Sequence, residues 1–178
     1  NSVVPWIQSM SPCLICGNRC RAPVFDRFGK RKNPPYICGV CFVDFERLPL
    51  GTDVTQTQAM EQLVCPQVDG LTVVGLYETP INGWIAKLKF YQQYHFALTL
   101  GFLLAKQLEQ QHWHNIDCIC ALPLHPFRKI ARGYNQAELL MDGVLTFSQP
   151  AWPIYLGLTR LKHTKPQTEL NQIERKEN

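Results

Sequence analysis

Two pairs of cysteines constrain the start of the chain more than any other sequence feature. Cys13 and Cys16 form one C-x-x-C pair, Cys38 and Cys41 form a second, and residues 17–37 separate the pairs. Two such pairs joined by a loop of this length can present four thiolates at the corners of a tetrahedron, as a structural zinc ion requires. The spacing therefore predicts a zinc site formed by these four cysteines.

Disulfides and a substitute ligand are the alternatives to this arrangement. The first residues, NSVVPWIQSM, lack a basic start followed by an apolar run, so no secretory signal is expected and disulfides are disfavoured. Cys20 is a spare thiol that could replace one ligand. Cys118 and Cys120 lie in an apolar run, and we expect both to be small buried core residues.

The length and composition indicate a folded chain with room for two units. Its 178 residues are 46% hydrophobic and 18% charged, which is typical of folded rather than disordered proteins. No run of eighteen apolar residues occurs, so we expect no membrane span and a cytoplasmic location. We assign residues 1–48 to the zinc-binding module, 49–70 to a connecting segment and 71–178 to an α/β domain.

The excess positive charge lies in the first quarter of the sequence. The net charge is +4, and residues 1–47 hold seven Lys/Arg and three Asp/Glu, which accounts for all of it. The stretch RCRAPVFDRFGKRK, residues 19–32, favours phosphate-bearing partners such as nucleic acid, with Phe25, Phe28 and Tyr36 available to stack on bases. The alternatives are a solvated basic loop and aromatic packing within the zinc module. Four thiolates on one zinc would contribute −2 and offset half of this charge.

The remaining sequence alternates strand-like and helix-like segments. Apolar residues at helical spacing predict three helices, and β-rich or continuously apolar runs predict three strands. The order of strand, helix and strand predicts an α/β domain with a parallel sheet. The predicted strands are LTVVGLYE, IDCICALP and PIYLGLTRL; the predicted helices contain Ile81 to Leu88, Tyr94 to Gln111, and Ala137 to Phe147.

A cationic loop, residues 124–133, follows the predicted strand IDCICALP. In open parallel sheets, ligands bind outside the carboxyl ends of the strands, and a following helix offers N–H groups to an anion. We therefore expect a phosphate or pyrophosphate site here, with ordinary surface charges as the alternative. The expected contributors are the cations Arg128, Lys129 and Arg132 and the neutral Asn135 and Gln136.

These motifs together resemble the competence-protein ComF family, which includes GntX-like proteins. The resemblance is carried by the paired C-x-x-C module, GWIAKLKF, ALPLHPFRKIARGYNQAELL and LTRLKHTKPQTELNQIERKEN. Family features include Pro-x-His-Pro, the Arg-Gly-aromatic-Asn-Gln run and a final pattern spaced over Arg160, Thr164, Gln167, Leu170, Arg175 and Asn178.

That family is similar to type I phosphoribosyltransferases, and the resemblance implies roles for individual residues. Residues 124–132, including His125, would form the pyrophosphate loop. Residues 160–178 would close over phosphoribosyl pyrophosphate, bound with Mg²⁺, because preplaced cations stabilise the departing pyrophosphate. Lys162, Lys165 and Arg175 would be the cations of this closing segment and Gln167 would fix orientation. The residues implied to be catalytic are Lys165, Gln167 and Arg175.

The sequence departs from that family at one motif. An acidic pair followed by a Thr-Thr-Gly loop, which would hold the 5-phosphate and ribose, has no counterpart in the chain. We therefore expect a phosphoribosyltransferase-like domain that is incomplete at its C-terminal end. Such a form would lack transferase activity and bind phosphoribosyl pyrophosphate weakly or not at all, while keeping a simple anion such as sulfate or phosphate at residues 128–132.

Two functional hypotheses follow from the resemblance. The first is a competence-associated protein of DNA uptake and natural transformation, which binds single-stranded DNA and phosphoribosyl pyrophosphate and contacts other competence proteins. The alternative is an enzyme of nucleotide or DNA-utilisation metabolism that transfers the phosphoribosyl group or hydrolyses phosphoribosyl pyrophosphate. The fold does not decide between them, because similar folds carry unrelated functions.

Overall fold

The computed structural model describes residues 11–20, 27, 32–46, 71–75, 77–110, 116–148, 152–164, 171 and 174. Five helices make up most of the regular structure of these residues. They are α1 (Gly39–Glu46), α2 (Ile81–Phe90), α3 (His95–Gln110), α4 (Pro126–Arg132) and α5 (Gln136–Phe147).

The three helices predicted from apolar spacing are confirmed. In α2 the residues expected on the buried face include Ile81, Trp84 and Leu88, and all three are buried. Helix α3 occupies nearly the predicted range and α5 contains the predicted apolar face, with Val144 1% exposed. Local periodicity was a sufficient guide because each helix buries one continuous stripe.

Helix α3 packs against α5 through two glycines, Gly101 and Gly143. A Cβ added at Gly101 would lie only 2.6 Å from the Cα of Gly143, so the two backbones cross in direct contact. Around this crossing lie Phe102 and Phe147, whose rings meet edge to face with centroids 5.2 Å apart. The crossing fixes the position of α5, and thus of the loop that precedes it.

The parallel sheet expected from the sequence is not confirmed. Among the described residues, the second and third predicted strands share one parallel bridge, in which the Ile119 N–H donates to Pro153 O at 2.8 Å and the Tyr155 N–H donates to Ile119 O at 2.9 Å. The described part of LTVVGLYE contains a single bridge residue, Thr72, and no strand. Parallel pairing depends on partners distant in sequence, which the apolar pattern of each segment does not supply.

The cysteine module packs into the same core as the helices. Around the cysteines, the described residues form an antiparallel bridge between Pro12 and Arg19, and α1 follows the start of the second cysteine pair. Thr99 of α3 donates its hydroxyl hydrogen to Pro35 O at 2.8 Å, and this threonine is completely buried. One apolar cluster contains Cys13, Cys20, Ile37 and Cys38 together with Trp84, Phe96 and Leu103.

Candidate functional site

The four predicted metal ligands lie together. The sulfur atoms of Cys13, Cys16, Cys38 and Cys41 all lie within 4.8 Å of one another, and those of Cys16 and Cys38 are 3.7 Å apart. Sulfurs at the corners of a zinc tetrahedron, each about 2.3 Å from the metal, are about 3.8 Å apart. The donor set and its spacing therefore fit a metal ion held by four thiolates.

Backbone N–H groups point at the sulfur of Cys13. The Cys38 N–H donates to it at 3.3 Å and the Ile15 N–H at 3.5 Å. Burial raises the pKa of this thiol, but hydrogen bonds from the backbones of Cys38, Cys16 and Ile15 outweigh burial and lower the pKa to about 7. Burial and the neighbouring thiols raise the pKa of Cys41 above its ordinary value. One thiolate therefore forms readily, while a cation is needed to stabilise four together.

The other cysteines separate into two groups. Cys20 is buried at the edge of the module and belongs to the apolar cluster rather than to the four-sulfur group. Cys118 and Cys120 are both exposed, so the prediction that they are core residues is wrong. Alternate residues of an extended segment point to one side, and in the described structure the side carrying these two thiols is open to solvent.

The cationic loop after residue 123 contains a short helix where the sequence predicts only a loop. Helix α4 begins after His125, whose Nδ1 accepts a hydrogen bond from the Phe127 N–H at 3.4 Å, and has a proline in its first turn. It ends at Gly133, which adopts the left-handed conformation with φ 84°. The capping residues thus hold Arg128, Lys129 and Arg132 on a single two-turn helix.

Each of these three cations has a partner. Arg128 donates a hydrogen bond through Nη2 to the backbone oxygen of Thr164. The Lys129 Nζ lies 2.9 Å from the Glu138 carboxylate, and this pairing lowers the pKa of Glu138. Arg132 is bonded to a glutamine side chain at 2.5 Å. The loop is therefore a connected polar network.

Asn135 and Gln136 have structural contacts. Asn135 is 1% exposed, accepts a hydrogen bond from the Ala137 N–H at 3.0 Å and donates one to Leu122 O at 3.0 Å. It therefore caps α5 and ties the extended segment 116–123 to that helix. The side-chain oxygen of Gln136 accepts a hydrogen bond from Arg132.

A second segment, residues 160–164, meets the cationic loop. Arg160 donates through Nη2 to the Thr164 hydroxyl oxygen at 2.6 Å, and the backbone oxygen of the same threonine accepts a hydrogen bond from Arg128. The rings of His125 and His163 lie 4.7 Å apart. Desolvation is the largest of the effects that lower the pKa of His125. The electrostatic effects of the nearby His163, Arg128 and Arg160 lower it further. Two arginines from distant parts of the sequence thus bond one threonine, and a histidine from each of the same two segments contacts the other.

Sequence reasoning did not single out His163 or Glu138. The histidine lies between positions of the Arg160-to-Asn178 pattern and carries no motif of its own. Glu138 lies two residues after the Asn-Gln pair, in the first turn of α5. An acidic residue at that position could have been predicted to lie near positive charge.

Several predicted residues lie outside the described ranges. They include the closing-segment residues Lys165, Gln167 and Arg175, and most of the basic stretch 19–32 with Phe25 and Phe28. Within the basic stretch, Arg19, Arg27 and Lys32 are described and exposed. Across the described part of the chain, no helix is both long enough and apolar enough to cross a bilayer.

The chain is similar to a curated protein over part of its length. It is 30% identical over 121 residues to competence protein F of Haemophilus influenzae, a match that covers 64% of this chain and 51% of the relative. The chain therefore spans about half the length of the curated relative that it matches. No family model matches the chain, and no solved structure matches it. The match and the four-cysteine group together support an assignment of the chain to the competence protein F (ComF) family.

Proposed function

We propose that the chain acts in competence by binding single-stranded DNA and the phosphate groups of phosphoribosyl pyrophosphate. The observation that carries the phosphate part is the meeting of two segments at Thr164. Arg128 from α4 and Arg160 from the later segment both bond this residue, beside His125 and His163. The name of the relative, competence protein F, supports a role in competence.

The proposed phosphate site uses groups that are already close together. A pyrophosphate placed between α4 and residues 160–164 would receive hydrogen bonds from Arg128 and Arg160 and favour the protonated form of His125. Lys129 and Arg132 add positive charge, and Asn135 with Gln136 holds the helix ends in place. Mg²⁺ would share the charge of the pyrophosphate. Lys165, Gln167 and Arg175 are proposed to complete the site.

Calorimetric titration with inorganic pyrophosphate, with and without Mg²⁺, tests this site. The variant Arg128→Gln removes a charge-assisted contact and should weaken binding by about tenfold or more. Arg19→Gln removes an exposed cation of the cysteine module and serves as the matched control. Equal binding by wild type and Arg128→Gln, or an equal loss in both variants, would refute the assignment.

The metal of the four-cysteine site is proposed to be zinc. Four thiolates without a carboxylate or water suit a structural zinc ion. Freshly purified protein should contain one zinc per chain, and a strong chelator should unfold the module, because metal binding supplies its folding energy. Absence of zinc, with Cys13 to Cys41 linked as disulfides, would contradict the proposal.

The basic stretch 19–32 is proposed to contact the phosphates of single-stranded DNA. Reversing Lys30, Arg31 and Lys32 to Glu should weaken binding and make it less sensitive to salt, because fewer counterions are then released. Unchanged affinity and salt dependence would assign these side chains to a solvated loop.

An enzyme that consumes phosphoribosyl pyrophosphate is the alternative function. The cations around Thr164 favour it, because departing pyrophosphate needs preplaced positive charge. Release of pyrophosphate from phosphoribosyl pyrophosphate, lost in Arg128→Gln, would support the enzyme. Binding of single-stranded DNA without any such turnover would support the competence role alone.

A further inference from the structure

The turn between α2 and α3 presents three exposed aromatic rings. Phe90 ends α2 and Tyr91 and Tyr94 follow it; they are 65%, 69% and 47% exposed. We call residues 90–94 the aromatic turn. Large rings at the surface contribute little to the core, so several within one short turn indicate a surface that contacts something else.

The aromatic turn is rigidly held. Its backbone returns onto α2 through hydrogen bonds from the Tyr91 N–H and the Gln93 N–H to Lys87 O, at 3.1 Å and 3.4 Å. Gln92 adopts φ 54°, a left-handed conformation that is uncommon for a residue with a side chain and costs free energy. The turn therefore keeps a strained shape that projects its rings outward.

Packing beneath the turn fixes it to the cationic loop. The rings of Tyr94 and Tyr134 meet edge to face with centroids 4.8 Å apart. The buried Tyr134 in turn donates its hydroxyl hydrogen to Leu88 O at the end of α2. Tyr134 lies directly between Gly133, which ends α4, and the cap of α5, so the aromatic turn and the cationic loop form one continuous surface.

The charge around the aromatic turn is positive. Lys87 and Lys89 lie in the last turn of α2, and the Arg132 guanidinium lies 5.9 Å from the centre of the Phe90 ring. The sequence contains no Asp or Glu from residue 79 to residue 108. Glu138, the acid described on the adjoining surface, is bonded to Lys129. The positive charge at the rings is therefore not neutralised by a neighbouring carboxylate among the described residues.

We propose that the aromatic turn is a stacking surface for the bases of single-stranded nucleic acid, with Phe90 and Tyr91 as the stacking residues. This inference rests on the proposed binding of single-stranded DNA and assigns the base contacts to a site distinct from the basic stretch 19–32. Flat rings beside Lys and Arg side chains, on a fixed backbone, are the combination that such sites use. Phosphates on either side of the stacked bases would meet Lys87, Lys89 and Arg132.

Fluorescence anisotropy with two oligomers tests the stacking. One probe is a labelled single strand of thymidines, and the other has the same length and phosphates but lacks bases. Phe90→Leu/Tyr91→Leu keeps apolar side chains and removes both rings. We expect it to lose about 10–100-fold in affinity for the thymidine strand, with unchanged salt dependence, and to bind the base-free strand like the wild type.

Tyr77→Leu is the matched control, because Tyr77 is 70% exposed and precedes the opposite end of the ten-residue helix α2. This variant should bind both probes like the wild type. Equal loss by the double variant on both probes, unchanged binding to the thymidine strand, or the same loss in the control would overturn the stacking role. Failure of the wild-type protein to bind either probe would overturn the proposed DNA binding itself, and the inference with it.

Discussion

The crossing of α3 and α5 makes a sharp prediction about a glycine. Gly101→Ala should destabilise the protein, although alanine is the better helix former. The new Cβ would lie 2.6 Å from the Cα, 2.7 Å from the carbonyl carbon and 2.9 Å from the nitrogen of the opposite backbone. Ordinary contacts are 3.4–4 Å, so the helices must separate by nearly 1 Å.

The magnitude follows from two opposed effects. Overpacking of this kind costs about 3 kcal/mol, because backbone atoms cannot rotate away as side chains do. The gain in helix propensity from Gly to Ala is about 1 kcal/mol. The net loss of about 2 kcal/mol should lower the melting temperature by about 4–8 °C for a chain of this size.

Gly83→Ala is the matched control, because a Cβ at Gly83 of α2 meets nothing within 4 Å. Only the propensity effect remains there, so we expect a gain of up to about 1 kcal/mol. Thermal unfolding followed by circular dichroism, with urea unfolding for the free energy, measures both. If Gly101→Ala is as stable as Gly83→Ala, the two helices do not cross at these glycines.

Three further predictions concern contacts between distant segments. Tyr134→Phe should cost about 1–2 kcal/mol in urea unfolding, since it leaves a carbonyl of α2 without its donor. Thr99→Val should cost about 1–3 kcal/mol in the same assay, because Pro35 O would lose its buried hydrogen bond. Metal affinity, measured by competition with a chromophoric chelator, should fall as the pH drops and fall more steeply below about 7, because protons then compete for Cys13 as well as for Cys41, whose pKa is raised. Stability unaffected by either substitution, or affinity constant from pH 8 to 6, would contradict these accounts.

The sequence predicted local features well because their causes are local. The spacing of Ile81, Trp84 and Leu88 determines the buried face of α2 without reference to another segment. Each C-x-x-C pair likewise forms a local turn that places its two sulfurs close together. The spacing of the pairs was therefore enough to predict the group of four sulfurs.

Contacts between segments could not be predicted in the same way. Nothing in the sequence pairs Gly101 with Gly143 or Thr99 with Pro35, because these contacts depend on how whole helices pack. Helix α4 was missed although Pro126 and Gly133 are ordinary start and stop residues, since the cations between them suggested a ligand loop. The predicted sheet is not confirmed for a related reason: an apolar run does not specify its partner.

The most direct test of the central claim is to locate the phosphate ligand by NMR of the histidine rings. The chain has five histidines, of which His125 and His163 lie at the proposed site and His95 packs against Tyr36 of the cysteine module. Titration with pyrophosphate and Mg²⁺ should shift the ring signals of His125 and His163 and raise the pKa of His125, because a bound anion favours the charged imidazole. The His95 signal should stay in place. Saturable binding that leaves His125 and His163 unmoved would contradict the account.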